Sequence, residues 1–110
     1  MNASTGSSQR VDFGRINRAA IAVSNVVVSA LAPNGHKVGA EWVALNPVRP
    51  DKRAGSFKVN LQTGCWSDFA TGDSGGDLVS LAAYIGGGGQ REAAIRLAEA
   101  LGVEPWEAAP

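Results

Sequence analysis

The chain has 110 residues and a formal net charge of zero, and it contains one Cys and one His. This length fits one domain; a single Cys excludes an intramolecular disulfide, and one Cys with one His cannot supply the four thiolates or imidazoles of a structural zinc site. No apolar run approaches the roughly 18 residues of a membrane span, and without a recognisable signal peptide the chain is expected to be cytoplasmic.

The zero net charge conceals an asymmetry between the two halves of the chain. Residues 1–60 hold eight basic and three acidic groups, a net charge of +5, whereas residues 61–110 hold two basic and seven acidic groups, a net charge of −5. The first half could therefore face phosphate groups, while the second half faces solvent or a basic partner.

The N-terminal third predicts a tail followed by one helix. Residues 1–11 are small and polar without periodicity, which predicts a disordered tail. From Asp12 to Leu31 apolar residues recur three or four positions apart, so one helix is predicted there, capped by Asp12 and ended by Pro33. The β-branched run Val26–Val28 weakly favours a β-strand instead of a helix.

The middle of the chain predicts about three antiparallel strands. They are Glu41–Leu45, Ser56–Leu61 and Cys65–Phe69, and the last two are joined tightly enough to form a hairpin. In the second run apolar and polar residues alternate, which places Lys58 on a polar face. The segments 33–39 and 71–77 are predicted as a turn and a glycine-rich loop.

The C-terminal part predicts a helical hairpin. Apolar residues repeat at helical spacing from Leu78 to Ile85 and again from Glu92 to Leu101, with Gly86–Gly89 breaking the pattern. Residues 104–110 are predicted as a tail or the start of a linker. The fold class is therefore α+β, with a single domain over residues 12–103, one N-terminal helix, a small sheet and a C-terminal helical hairpin.

Several motifs resemble, in order, those of the zinc-ribbon N-terminal domain of bacterial, phage and plasmid DNA primases and primase-helicases. The resemblance covers Trp42 to Val103, about half of the chain. The motifs are Asn46-Pro47-Val48-Arg49 for the first zinc knuckle, Gly55-Ser56-Phe57-Lys58-Val59 for a strand, Trp66-Ser67-Asp68-Phe69-Ala70-Thr71-Gly72 for the second knuckle, and Gly75-Gly76-Asp77 for a helix start.

The resemblance fails at the zinc ligands. Where the family carries its four ligands this chain has Asn46, Arg49, Asp68 and Thr71, so the ribbon is of a degenerate, zinc-free type with no metal and no cofactor. The sequence predicts that apolar packing, centred on the tryptophans at 42 and 66, closes the ribbon in place of the ion.

The resemblance implies a non-catalytic module that binds single-stranded template DNA, with RNA as an open alternative, for a primase or helicase catalytic region in cis or in trans. Such systems occur in mobile elements and prophages. Cations follow the phosphates and an aromatic ring stacks on a base. The predicted binding residues are Arg49, Lys52, Arg53, Lys58 and Trp66. The carboxylate motifs of a primase catalytic domain are absent, so the chain is not predicted to be an enzyme.

A second hypothesis is a protein-interaction module. In that case the acidic residues Glu92, Glu99 and Glu104 of the helical hairpin would dock on a replication partner. Salt-dependent DNA binding separates the two hypotheses, because only the first requires phosphate contacts.

Three other candidate sites have simpler explanations. Asp68, Asp73 and Asp77 could gather around Mg²⁺, but Asp77 or Ser74 is better explained as a helix cap. The glycine-rich run from Thr71 to Asp77 lacks the Gly-Lys-Ser/Thr ending of a phosphate loop. Cys65 has no neighbouring base in sequence and is predicted to be a half-buried strand residue.

Overall fold

A computed structural model describes residues 9–49 and 55–108. Over these residues it has four α-helices and five β-strands, so the predicted α+β class is confirmed. The elements are α1 (Phe13–Ala22), α2 (Ser24–Leu31), β1 (Gly35–Val38), β2 (Glu41–Ala44), β3 (Phe57–Asn60), β4 (Trp66–Asp68), β5 (Ser74–Gly75), α3 (Leu78–Gly86) and α4 (Gln90–Leu101).

The five strands form one antiparallel sheet in chain order, from β1 to β5. The three predicted strands are confirmed as β2, β3 and β4, and Val59 of β3 pairs with Trp42 on one side and Trp66 on the other. The predicted turn over 33–39 and the predicted loop over 71–77 each contain a further strand. These two strands lie at the edges of the sheet. Three of the four residues of β1 are exposed, so β1 shows no alternating pattern, and the two residues of β5 are too few to show one.

The predicted single N-terminal helix is two helices that meet at Val23. The backbone of Val23 leaves the helical region, with φ −128° and ψ 40°. Just after this break the Ser24 hydroxyl donates a hydrogen bond of 2.7 Å to the carbonyl of Leu61, which anchors α2 to the turn after β3. The start of α1 is as predicted, since the side chain of Asp12 accepts a hydrogen bond from the amide of Arg15.

One face of the sheet packs on the helices and the other face is open. The core between the sheet and the helices includes Ile16, Val28, Ala44, Phe57, Val59, Trp66, Leu78, Leu81 and Leu97. The predicted C-terminal hairpin is present as α3 and α4, which pack on each other and on α1. Among the described residues no helix has the length and apolar composition needed to cross a membrane.

Residues at both ends of the described chain join the fold. Val11 is buried and forms a β-bridge with Trp106, which packs against the core. The amide of Asp12 donates to the carbonyl of Pro105 at 2.8 Å. The folded unit therefore includes residues from both segments predicted as tails, 1–11 and 104–110; residues 1–8 and 109–110 lie outside the described part.

Gly75 of β5 lies where no side chain has room. It pairs with Trp66, and a Cβ atom at Gly75 would lie 2.7 Å from Cε2 of the Trp66 indole and would collide with the hydroxyl of Ser80. Trp66 Nε1 donates a hydrogen bond of 2.9 Å to that same hydroxyl. The first glycine of the Gly75-Gly76-Asp77 motif therefore allows a close approach, and Asp77 caps α3 by accepting from the Ser80 amide.

We expect Gly75→Ala to lower the free energy of unfolding by about 1–3 kcal/mol, because the added methyl group overpacks the Trp66–Ser80 contact. Urea denaturation followed by tryptophan fluorescence measures this loss. Gly76→Ala is the matched control, since a Cβ atom there meets nothing within 4 Å. Equal losses in the two variants would contradict the assignment of the close approach to Gly75.

Candidate nucleic-acid interface

The open face of the sheet is polar across β3 and β4. In β3 the residues Phe57 and Val59 are buried, so Lys58 and Asn60 lie on the opposite, open face, as the alternation predicted. Ser67 of β4 is paired with Lys58 and continues this face. Lys58 thus stands at the centre of a polar surface two strands wide.

Phe69 supplies an exposed aromatic ring beside Lys58. Its side chain is 74% exposed, and Lys58 Nζ lies 5.8 Å from the ring centre, within the range of a cation–π contact. The amide of Phe69 donates to the carbonyl of Ser56 at 3.0 Å, which extends the pairing of β3 and β4 by one residue. A groove of about 280 Å³ at this place is lined by Lys58, Asn60, Ser67 and Phe69 together with Glu41, Cys65 and Trp66.

Trp66 lies in the core and not on the open face. Its side chain is 5% exposed, and its ring centre lies 4.5 Å from that of Tyr84 and 6.2 Å from that of Phe57. It cannot stack on a base without leaving these contacts, and the exposed aromatic ring beside Lys58 is that of Phe69 instead. Strand alternation could have indicated this, because Phe69 is three positions from Trp66 and so lies on the opposite face.

The structure describes two of the four predicted cations. Lys58 lies on the open face, and Arg49 ends the turn after β2 with its side chain 35% exposed. Lys52 and Arg53 lie outside the described residues. Glu41 of β2 lines the same groove as Lys58, and its pairing with Asn60 puts it at the end of the groove away from Phe69.

A buried polar cluster joins the two turns that resemble zinc knuckles. Asn46 and Asp68 are 2% and 1% exposed. Asn46 Nδ2 donates to Asp68 Oδ2 at 2.7 Å and to the Tyr84 hydroxyl at 2.8 Å, and Arg49 Nε donates to Asp68 Oδ2 at 3.2 Å. The Tyr84 hydroxyl donates in turn to Asp73 Oδ2 at 2.8 Å. Within the described residues no buried side-chain nitrogen or oxygen lacks a hydrogen-bond partner.

The cluster keeps Asp68 ionised. Burial raises the pKa of Asp68, but the hydrogen bonds it accepts, led by that from Asn46, outweigh burial and lower the pKa from 3.8 to about 2. Its carboxylate therefore forms an ion pair with Arg49 at neutral pH. Burial raises the pKa of Tyr84, and the carboxylate of Asp73 raises it further, so the hydroxyl keeps the proton that it donates.

The four positions where the family carries zinc ligands do not fit zinc. Structural zinc is bound by thiolates and imidazoles, whereas Arg49 is a permanent cation and Thr71 is exposed, its hydroxyl accepting from the amide of Asp73. Over residues 9–49 and 55–108 no three His, Cys, Asp or Glu side chains are grouped so that they could hold a metal ion.

The predicted apolar closure of the ribbon needs a correction. Trp66 does pack in the core, and Trp42 is partly buried with its Nε1 donating to the carbonyl of Ala32 at 2.9 Å. The direct link between the two turns is nevertheless polar, because it is made by Asn46 and Asp68. The residue types at these positions were visible in the sequence, but their mutual contact was not.

The remaining candidate residues have separate surroundings. Asp77 caps α3, and the carboxylate of Asp73 is linked to that of Asp68 through Tyr84 and Asn46, so within the described residues the three aspartates do not gather around one metal position. The prediction of a half-buried strand cysteine is wrong, because Cys65 precedes β4 and is exposed. Its thiol donates to the carbonyl of Gly76 at 3.6 Å. The acidic residues Glu92, Glu99 and Glu104 are all exposed.

The fold is a five-stranded antiparallel sheet with helices packed on one face, and its likeness to a solved primase structure makes it a primase-related α+β fold. The crystal structure of the Aquifex aeolicus primase, comprising its zinc-binding and RNA polymerase domains, is similar with a TM-score of 0.67 and 25% sequence identity, over 91% of this chain. The chain spans 23% of that structure's length. No protein-family model and no curated protein matches the sequence.

Proposed function

We propose that this chain is a non-catalytic module that binds single-stranded nucleic acid, chiefly template DNA, in a primase or primase-helicase replication system. The observation that carries the proposal is the exposed ring of Phe69 beside Lys58 on the open sheet face. The structural likeness to a primase supports the replication role.

The chemistry of the open face suits a single strand. A base can stack on an exposed aromatic ring whatever its identity, while cations beside the ring attract the phosphates. Lys58 is placed for such a contact, and Lys52 and Arg53 follow Arg49 closely in the chain. Arg49 contributes less, because its Nε is engaged with Asp68.

In this proposal the chain presents template and does no chemistry itself. Primer synthesis or unwinding belongs to a catalytic region in cis or in trans, of the kind that mobile elements and prophages carry. The exposed residues Glu92, Glu99 and Glu104 would repel phosphate by their negative charge. Docking on a protein partner through these residues is the alternative function.

We expect Phe69→Ala to weaken binding of a fluorescein-labelled oligothymidylate of about 15 nucleotides by roughly 5- to 150-fold. This corresponds to the loss of one base-stacking contact of about 1–3 kcal/mol. Fluorescence anisotropy at low salt measures the affinity, and an oligouridylate of equal length compares RNA with DNA.

The matched control is Phe13→Ala, which removes an exposed ring from α1 instead of the sheet. It should leave the affinity unchanged. Unaltered binding by Phe69→Ala would refute the role of the open face. No binding by the wild-type chain at low salt would refute nucleic-acid binding altogether and would favour the protein-docking alternative.

A further inference from the structure

The two turns that meet in the buried cluster have the same local geometry. The amide of Val48 donates to Asn46 Oδ1 at 2.9 Å, and the amide of Ala70 donates to Asp68 Oδ1 at 2.8 Å. In each turn the first side chain thus accepts from the amide two residues later, as in an Asx-turn. The second polar atom of each side chain then remains for the contact between the turns, Asn46 Nδ2 to Asp68 Oδ2.

We propose that Asn46, Arg49, Asp68 and Tyr84 form a polar clamp that closes the ribbon in place of a metal ion. Three of these residues stand at positions where the resembling domains carry zinc ligands, and their side chains meet directly. The Tyr84 hydroxyl accepts from Asn46 and so links the first turn to helix α3. The inference does not depend on nucleic-acid binding.

Charge makes the clamp a strong link. Asp68 is 1% exposed and its carboxylate accepts from an amide, a guanidinium and a backbone N–H. Hydrogen bonds to an ionised group are stronger than those between neutral groups. Removing one partner leaves a buried polar or charged group without its bonds, which costs more than the bond itself contributes. The low pKa of Asp68 agrees with such stabilisation of the anion.

The test compares urea unfolding of the full chain with and without a metal chelator, together with variants of the clamp. The midpoint of the wild-type chain should not change with EDTA or with added Zn²⁺. Asp68→Asn should lower it by about 1–2 M, because Asn cannot hold the charge of Arg49. Thr71→Ala is the matched control: Thr71 is exposed and stands at the fourth ligand position, but its hydroxyl bonds backbone groups of Asp68 and Asp73 instead of a clamp side chain, so the midpoint should shift by less than about 0.3 M.

Tyr84→Phe keeps the test decisive if Asp68→Asn does not fold. It retains the ring that packs on Trp66 and removes only the hydroxyl, and it should lower the midpoint by about 0.5–1 M. The proposal is overturned if the purified chain contains stoichiometric Zn²⁺ or unfolds more readily in EDTA. It is also overturned if the clamp variants lower the midpoint no more than Thr71→Ala does.

Discussion

Raising the salt concentration from about 50 to about 200 mM is expected to weaken binding of single-stranded DNA roughly 20-fold. In the proposed complex Lys52, Arg53 and Lys58 neutralise about three phosphates, and binding releases the counterions of these phosphates. For single strands the logarithm of the binding constant then falls by about 0.7 per phosphate for each tenfold rise in salt. The slope of a logarithmic plot, about −2, is measured by anisotropy titrations across this salt range.

Two triple variants with the same change in net charge give this prediction its control. Replacing Lys52, Arg53 and Lys58 by Gln should bring the salt slope close to zero and remove most of the affinity. Replacing Arg18, Arg91 and Arg96 by Gln alters helices α1 and α4 instead and should leave the slope near its wild-type value. Equal effects of the two triple variants would mean that general charge attraction, and not Lys52, Arg53 and Lys58 in particular, holds the single-stranded DNA.

Phe57→Ala is expected to lower the free energy of unfolding by about 3–5 kcal/mol, the largest effect of any single change considered for this chain. Phe57 is fully buried, and its ring lies 6.2 Å from Trp66 and 6.5 Å from Tyr84, centre to centre. The substitution loses apolar burial and leaves a cavity at the centre of the sheet. Chemical denaturation monitored by circular dichroism measures the loss.

The comparison with Phe69→Ala separates folding from binding. Phe69 is 74% exposed, so Phe69→Ala should change the free energy of unfolding by no more than about 0.5 kcal/mol, although it is expected to weaken DNA binding. Small domains are stable by only about 5–15 kcal/mol, so Phe57→Leu is the milder variant if Phe57→Ala does not fold. A loss below about 1 kcal/mol in Phe57→Ala would show that Phe57 is not a central residue of the hydrophobic core.

The alternation of apolar and polar residues predicted much of the fold and part of the interface. Phe57 and Val59 are buried and Lys58 is on the open face, as period-two spacing requires. The same rule, extended from Trp66 by three positions, indicates that Phe69 faces the other way. The choice of Trp66 as the stacking residue rested on its aromatic side chain and its place on the strand beside Lys58, and did not take into account which face of that strand Trp66 occupies.

Local patterns in the sequence therefore determined which residues form the three central strands and the helical hairpin, since periodicity and glycine breaks act over a few neighbouring residues. Only the tertiary structure decided the edge strands, the break at Val23 and the contact between Asn46 and Asp68. The last two side chains are 22 positions apart and bond because the sheet brings their turns together. A hydrogen-bond partner at that separation is chosen by three-dimensional proximity, which no local pattern encodes.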